Sequence, residues 1–349
     1  MKRKFLASAV AVLTILLVFS GCATSIAFDV VKPAEINMSE YSHLAIFDIE
    51  PYEFSFLDFA GTVVLDLILG KDLDRPTGFT LFMEKDISNK FERQLIYSLQ
   101  QADYFTLIPP SQLRPYKNSK ASGAYSNDIL INNFNVTSSL IGTIEDLRFY
   151  EDIIEIETNV DDGNGGMVTI ITESFLQEVS MDFSYSILDL RTNQIIATRY
   201  EKGSRRLVTP IEDIDTFRPP KLYDLYEKII NEISSKIRYQ LAPRIEREYR
   251  FLEKDKTNNM VMETADQLVK DRNYEQALSL YLEIWHTSRN YAAGYNAAVL
   301  YEVMGQLQQA VSFMQDVVNR IKSPDAYRKL SQLEQELQVY NEAVTQIRQ

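Results

Sequence analysis

The sequence predicts an α+β domain, made of a βαβ unit continued by an antiparallel meander, followed by an all-α helical-repeat domain. Three observations carry this. Between residues 43 and 108 an apolar run, an amphipathic helical stretch and a second apolar run succeed one another. From 139 to 203 the hydrophobic period is two, broken by turn residues. Beyond 258, three similar lines recur at a constant interval.

The chain opens with Lys2, Arg3 and Lys4, then Phe5 to Phe19 without a charge, then Ser20, Gly21 and the only cysteine, Cys22. A basic start, a short apolar run and small residues at its exit describe a signal peptide over residues 1–21. The uncharged stretch also reaches the minimum for spanning hydrocarbon, roughly 18 residues, so an uncleaved anchor is the other reading. Phe19-Ser20-Gly21-Cys22 resembles the lipobox of bacterial lipoproteins, with Phe19 where leucine is usual. That resemblance implies cleavage before Cys22 and acylation of Cys22 with palmitate-type chains. Two or more chains exceed the single-chain limit for stable anchoring. Ala23 after the cysteine implies sorting to the outer membrane. No other cysteine is present, so the rest of the chain must hold together by a hydrophobic core, which its length allows.

Residues 22–38 read as a linker behind the lipidated cysteine, and 39–254 as the α/β domain with its closing helix. Within it, "HLAIFDI" (43–49) is an apolar strand. "EKDISNKFERQLIYSLQQA" (84–102) places Ile87, Phe91, Leu95 and Leu99 four apart, an amphipathic helix. "YFTLI" (104–108) is a second strand, stopped by Pro109 and Pro110, and the strand–helix–strand order makes the two strands parallel. "SLIGTIEDLRFY" (139–150) leads into "IIEIETNV" (153–160); "DDGNGG" (161–166) turns the chain into "MVTIITESF" (167–175). "VSMDFSYSIL" (179–188) and "IIATRYEKG" (195–203) follow as further strands. A helix from about Lys221 to Leu241 closes the domain. After Pro243, the cluster Arg244, Arg247, Arg250, Lys254 alternates with Glu246, Glu248 and Glu253 and reads as a solvated helix with intrahelical pairs. Residues 54–80 form an apolar insertion, read as a packed helix and loop over the sheet or as a lipid- or subunit-contacting element.

This order of elements, with "LDLRTNQIIATRYEKG" at the final hairpin, resembles the periplasmic domain of CsgG-like secretion lipoproteins. It is also similar to lipoproteins that activate penicillin-binding proteins and to the N-terminal domain of TolB. "VKPAEINMSEYSHLAIFDIE" (31–50) is similar to the opening of bacterial lipoproteins that join such a domain to helical repeats.

At the C-terminus, "NYEQALSLY" (273–281), "QLQQAVSFM" (306–314) and "VYNEAVTQI" (339–347) align, with Ala277, Ala310 and Ala343 equally spaced and Tyr281, Met314 and Ile347 at i+4 from them. The period and spacing resemble the tetratricopeptide repeat (TPR), which also matches Gly294, Ala297, Ala298 and Tyr301 in the helix before the second line. Small residues at helix crossings let antiparallel helices approach, and bulky ones fill the space between units. The expectation is three repeats, 258–290, 291–323 and 324–349, in six helices. Trp285, Tyr281 and Tyr291 either line a peptide groove or form repeat core.

The chain has 36 Lys and Arg against 49 Asp and Glu; losing residues 1–21 takes the net charge from −13 to −16. An acidic surface repels nucleic acid, which is excluded as a main partner. Gly70-Lys71 lacks the upstream glycine of a phosphate-binding loop, and no nucleophile-elbow motif occurs. His43 and His286 fall in different domains. Asp162, Asn164 and Glu173 have the spacing of part of a calcium loop, but Gly166 and Met167 occupy positions that need other residues, so a plain hairpin turn is expected. Glu155 and Glu157 share a strand face as a solvated edge. No catalytic residue, metal or cofactor is expected beyond the lipid on Cys22. The expected function is a lipid-anchored, non-enzymatic scaffold of the cell envelope that holds envelope proteins or peptide segments through the repeats. The alternative is an oligomeric CsgG-like outer-membrane secretion pore, in which hairpin 153–175 enters the membrane; an enzyme acting on polysaccharide or peptide is a third reading.

Overall fold

The computed structural model describes residues 24–52, 83–117, 126–161, 163, 165–213 and 220–347. The lipobox with Cys22 and the insertion 54–80 lie outside these residues. Contacts divide the chain into two units, one of residues 34–243 with the last four residues, the other of residues 1–33 with 244–345.

The α/β unit is built on a five-stranded mixed sheet. Its strands are β2 (His43–Ile46), β3 (Thr106–Ile108), β4 (Ser138–Asp161), β5 (Met167–Asp189) and β6 (Gln194–Pro210), ordered β3-β2-β4-β5-β6. β2 is parallel to β3 and β4, while β4, β5 and β6 form the antiparallel meander. β2 is shorter than the apolar run 43–49, yet the chain keeps to β4 beyond it, with Phe47 N–H donating to Leu140 O (3.0 Å) and Glu50 N–H to Gly142 O (3.0 Å).

Helices α1 (Met83–Gln100) and α4 (Leu222–Leu241) share the main core with the sheet. α1 buries Ile87, Phe91, Leu95 and Leu99, the stripe set by the sequence. α4 buries Ile229, Ile230, Ile233 and Ile237. Phe91 meets Phe183 with ring centroids 4.2 Å apart. A Cβ added at Gly203 on β6 would stand 2.4 Å from Ile229 Cγ2, so the absent side chain is what allows α4 to lie this near. A buried polar chain runs through this core: Tyr185 donates to Gln240 Oε1 (2.6 Å), Gln240 Nε2 to Glu201 Oε1 (2.7 Å), and Lys236 pairs with Glu201. Two short helices, α2 (Pro110–Leu113) and α3 (Asn127–Phe134), contribute Leu113 and Leu130 to a smaller cluster with Ala45, Val136 and Leu190.

β4 and β5 run far beyond β6. Their pairing continues from Glu155↔Glu173 to Asp161↔Met167, whereas β6 leaves β5 at Ser174↔Pro210. The result is a seven-pair, two-stranded ribbon, about 23 Å long at strand rise. One face carries Ile156, Thr158, Val160, Val168, Ile170 and Thr172 without a charge; Glu155, Glu157 and Glu173 lie on the other. Asp162 and Asn164 lie outside the described residues, and Gly163 and Gly165 have φ of 79° and 85°, the conformation of a glycine turn.

The second unit corrects the expected boundaries. Residues 22–38 are not a plain linker: β1 (Ser25–Lys32) pairs antiparallel with β7 (Arg244–Phe251), from Ser25↔Phe251 to Lys32↔Arg244. Residues 244–251 are therefore a strand, not the expected helix, and belong with the repeats instead of the α/β domain. Opposite charges two apart on one strand face satisfy one another as well as they would along a helix: Arg244 Nε donates to Glu246 (2.6 Å) and Arg250 Nη2 to Glu248 (2.7 Å). Ile245, Tyr249 and Phe251 on the other face are β-favouring residues.

Five helices follow: α5 (Met260–Lys270), α6 (Tyr274–Ser288), α7 (Tyr291–Val303), α8 (Leu307–Ile321) and α9 (Pro324–Ile347). The expected six become five because the third unit does not break. Asp271-Arg272-Asn273 and Met304-Gly305-Gln306 turn the chain with φ of 61° at Arg272 and 74° at Gly305. The equivalent Leu337-Gln338-Val339, one repeat further on, has no such residue, so α9 runs 24 residues as a single closing helix. Two helical hairpins with a cap fit a TPR-like arrangement.

Candidate functional site: a charged seam in the helical unit

α7 is buried nearly all round, with Ala292, Ala293, Gly294, Ala297 and Ala298 in its walls. The repeat-signature residues come together as packing. A Cβ on Gly294 would meet the Trp285 ring at 2.8 Å and Val317 Cγ2 at 3.0 Å. Ala277 and Tyr281 lie in one cluster with Ala297; Ala298, Ala310, Met314 and Trp285 form the next, with Tyr301 at its edge. Ala343 is buried, but Ile347 is 54% exposed, a departure from its expected packing role that follows from the missing sixth helix.

Of the three aromatics read as groove or core, two are core. Trp285 is fully buried, its Nε1 donating to Asp316 (3.3 Å), and Tyr281 is fully buried, donating to Asp266 (2.5 Å). Burial and the Asp266 carboxylate push the Tyr281 phenol up. Tyr291 is partly buried beside Tyr295, ring centroids 6.0 Å apart, and burial pushes it up to about 12.

Polar residues inside this apolar array gather on one seam, where α7 meets β1, β7 and the segment after β7. Asn296, buried on α7, accepts from Glu253 N–H (2.7 Å) and donates to Glu253 O (3.0 Å). One amide side chain thereby satisfies both backbone groups of Glu253. One turn and a half further along α7, Glu302 is buried between two cations: Arg250 Nε donates to its Oε1 (2.5 Å) and Lys329 Nζ of α9 to its Oε2 (2.6 Å). Arg250 also pairs with Glu336 of α9 and Glu248 of β7, and Lys32 of β1 closes the line on Glu248 (2.5 Å). Three cations thus face three carboxyls.

Burial, then the hydrogen bond and negative charge of Glu302, push Glu336 up to about 7, against the pull of Arg250. Burial weakens the Arg250 charge, but Glu302 and Glu336 outweigh it and raise that group. Burial also opposes ionisation of Glu248, yet Lys32 and Arg250 hold it below the usual range. The seam borders a cavity of about 80 Å³ lined by Phe28, Val30, Leu307, Val339 and Tyr340. That is room for two or three waters and well under the roughly 300 Å³ of a ligand pocket. The seam ties β1 and β7 to α7 and α9.

Sequence reading missed this seam. Its signal was a lone asparagine and a lone glutamate in the otherwise apolar "YAAGYNAAVLYEV" (291–303). His43 and His286 belong to different units, and no group of three metal-ligating side chains occurs among the described residues. No described helix is long and apolar enough to cross a membrane.

Residues 263–345 match the model of DUF6340, a domain of unknown function, so the match is confined to the helical unit. No curated protein matches the chain. Among solved structures, similarity extends to the PelC dodecamer from Paraburkholderia phytofirmans (9% identity, 62% of this chain and 99% of that chain, TM-score 0.25). It extends also to a minor lipoprotein from Acinetobacter baumannii (11%, 58% and 90%, 0.24) and to lipoprotein GNA1162 from Neisseria meningitidis (7%, 56% and 97%, 0.24). Scores this low leave function to be argued from the chain's own residues.

Proposed function

We propose that this chain is a lipid-anchored, non-enzymatic protein-binding scaffold of the bacterial cell envelope, held at the outer membrane through acylated Cys22. The observation that carries the reading is how near β1 lies to the lipobox cysteine. Thr24 O accepts from Leu252 N–H (3.0 Å) and β1 starts at Ser25, so the chain is tied into the β1–β7 sheet within two residues of the lipobox cysteine. A sheet strand this near Cys22 is compatible with a mature chain that begins at Cys22. The binding half is supported by the TPR-like helical unit, since stacked helical hairpins present faces that suit peptide segments.

The test joins both halves. Cells fed a clickable palmitate are compared for wild type and Cys22→Ala, and photo-crosslinking residues are placed at Tyr327 and Tyr340, exposed positions on α9. Label that depends on Cys22, with discrete envelope-protein adducts from α9, is the expected result; label without dependence, or no adducts, contradicts it. Deleting the helices is the wrong control, since β1 and β7 pack on them.

The ribbon beyond β6 favours a second reading, the oligomeric pore. Its uncharged β-branched face suits lipid, but seven residues per strand fall short of the roughly 9 to 11 that a spanning strand needs. A detergent-stable ring of many subunits would favour the pore; a monomer or dimer favours the scaffold.

A further inference from the structure

We propose that the outer face of the β1–β7 sheet lies flat on the headgroup layer of the membrane that anchors the chain. The inference rests on the acylation of Cys22 proposed above. The inner face of this sheet buries Ile26 and Phe28 and carries Arg250 into the charged seam. Its outer face presents Ile245, Tyr249 and Phe251, exposed by 74%, 59% and 60%. The charged residues on that face, Arg247 and Asp29, are paired with each other (3.3 Å), so it carries no net charge toward lipid.

The tether supplies the occupant. Thr24 is held by Leu252, and one residue, Ala23, separates it from Cys22. The Cα atoms of residues 22 and 24 are therefore at most about 7 Å apart. A diacylated cysteine sits with its chains in the bilayer, so the Ser25↔Phe251 end of the sheet is at the interface, and Tyr249 is opposite Ala27, two residues on. Aromatic side chains with one polar end favour this layer. An upright sheet would wet only Phe251 with lipid and leave Ile245 in water, near Val31 at the far end. Lying flat removes all three large apolar side chains from water, and each one so removed favours that orientation.

The experiment uses the mature, acylated full chain in vesicles of phosphatidylethanolamine and phosphatidylglycerol. The Cys22 sulfur is blocked by its lipid, so Ile245→Cys, Tyr249→Cys and Phe251→Cys each offer one thiol for an environment-sensitive fluorophore. Tyr327→Cys serves as the water-exposed reference. All three sheet positions are expected to emit to the blue of the reference and to be quenched by nitroxides at shallow depth in the lipid. Emission at 245 and 249 matching the reference overturns the flat orientation, even if 251 responds. A blue shift without lipid quenching, accompanied by dimers, assigns the face to a second copy and overturns the proposal. A chain that does not float with the vesicles fails at the anchor, and the proposal falls with that reading; one that floats with unquenched labels loses only the surface.

Discussion

Glu336 and Asp255 titrate in opposite senses. Burial and Glu302 raise Glu336 to about 7, so its folded form takes up a proton that the unfolded chain, with a carboxyl near 4.5, has released. Stability from this group is present below the unfolded value and is lost as pH rises toward 7. Wild type is therefore expected to lose thermal stability relative to Glu336→Gln between pH 5 and 7.5, read as the difference of the two melting curves. Asp255 is held down to about 2, against burial, by Asn259 and Thr257 N–H groups and by the Asn290 and Thr257 side chains. Its contribution is present above about 4 and is lost as pH falls through 2, and Asp255→Asn should flatten that acid limb. At Gly294 the crowding by Trp285 and Val317 outweighs the helix propensity that alanine gains, about 1 kcal/mol, because overpacking costs about 1 to 3. Gly294→Ala is expected to lower the melting temperature. Lys329→Met leaves buried Glu302 with Arg250 as its remaining cation and should destabilise the fold in denaturant unfolding, by less than the about 3 to 5 kcal/mol of a fully uncompensated buried charge.

At the scale of elements, sequence periodicity was sufficient where one face is buried by near neighbours. The i+4 stripe of α1 and the alternation of β5 each predicted the face that the structure buries. It was insufficient where the partner is remote. The segment "RIEREYRF" carries pairings that suit a helix or a strand, and the choice is made by β1, from the opposite end of the chain, which pairs with it and presses Arg250 against Glu302. The third repeat failed for the opposite reason, the lack of a local stop at Leu337-Gln338-Val339. A helix break introduced there, Gln338→Gly with Val339→Pro, is expected to lower the helical signal and to release Ala343 from its buried position. The charged seam itself was legible only as two polar letters in an apolar helix, since their partners lie on three other elements.

In the whole molecule, the proposed export tag precedes an α/β unit and a helical unit that is closed by β1. Both the anchoring and the proposed membrane-facing sheet depend on where the mature chain begins. The most direct measurement is the intact mass of the protein extracted from membranes. The expected species begins at Cys22 and carries at least a diacylglyceryl group, with loss of both cleavage and lipid in Cys22→Ala. A mass equal to all 349 residues, or a chain cut elsewhere without lipid, would contradict it.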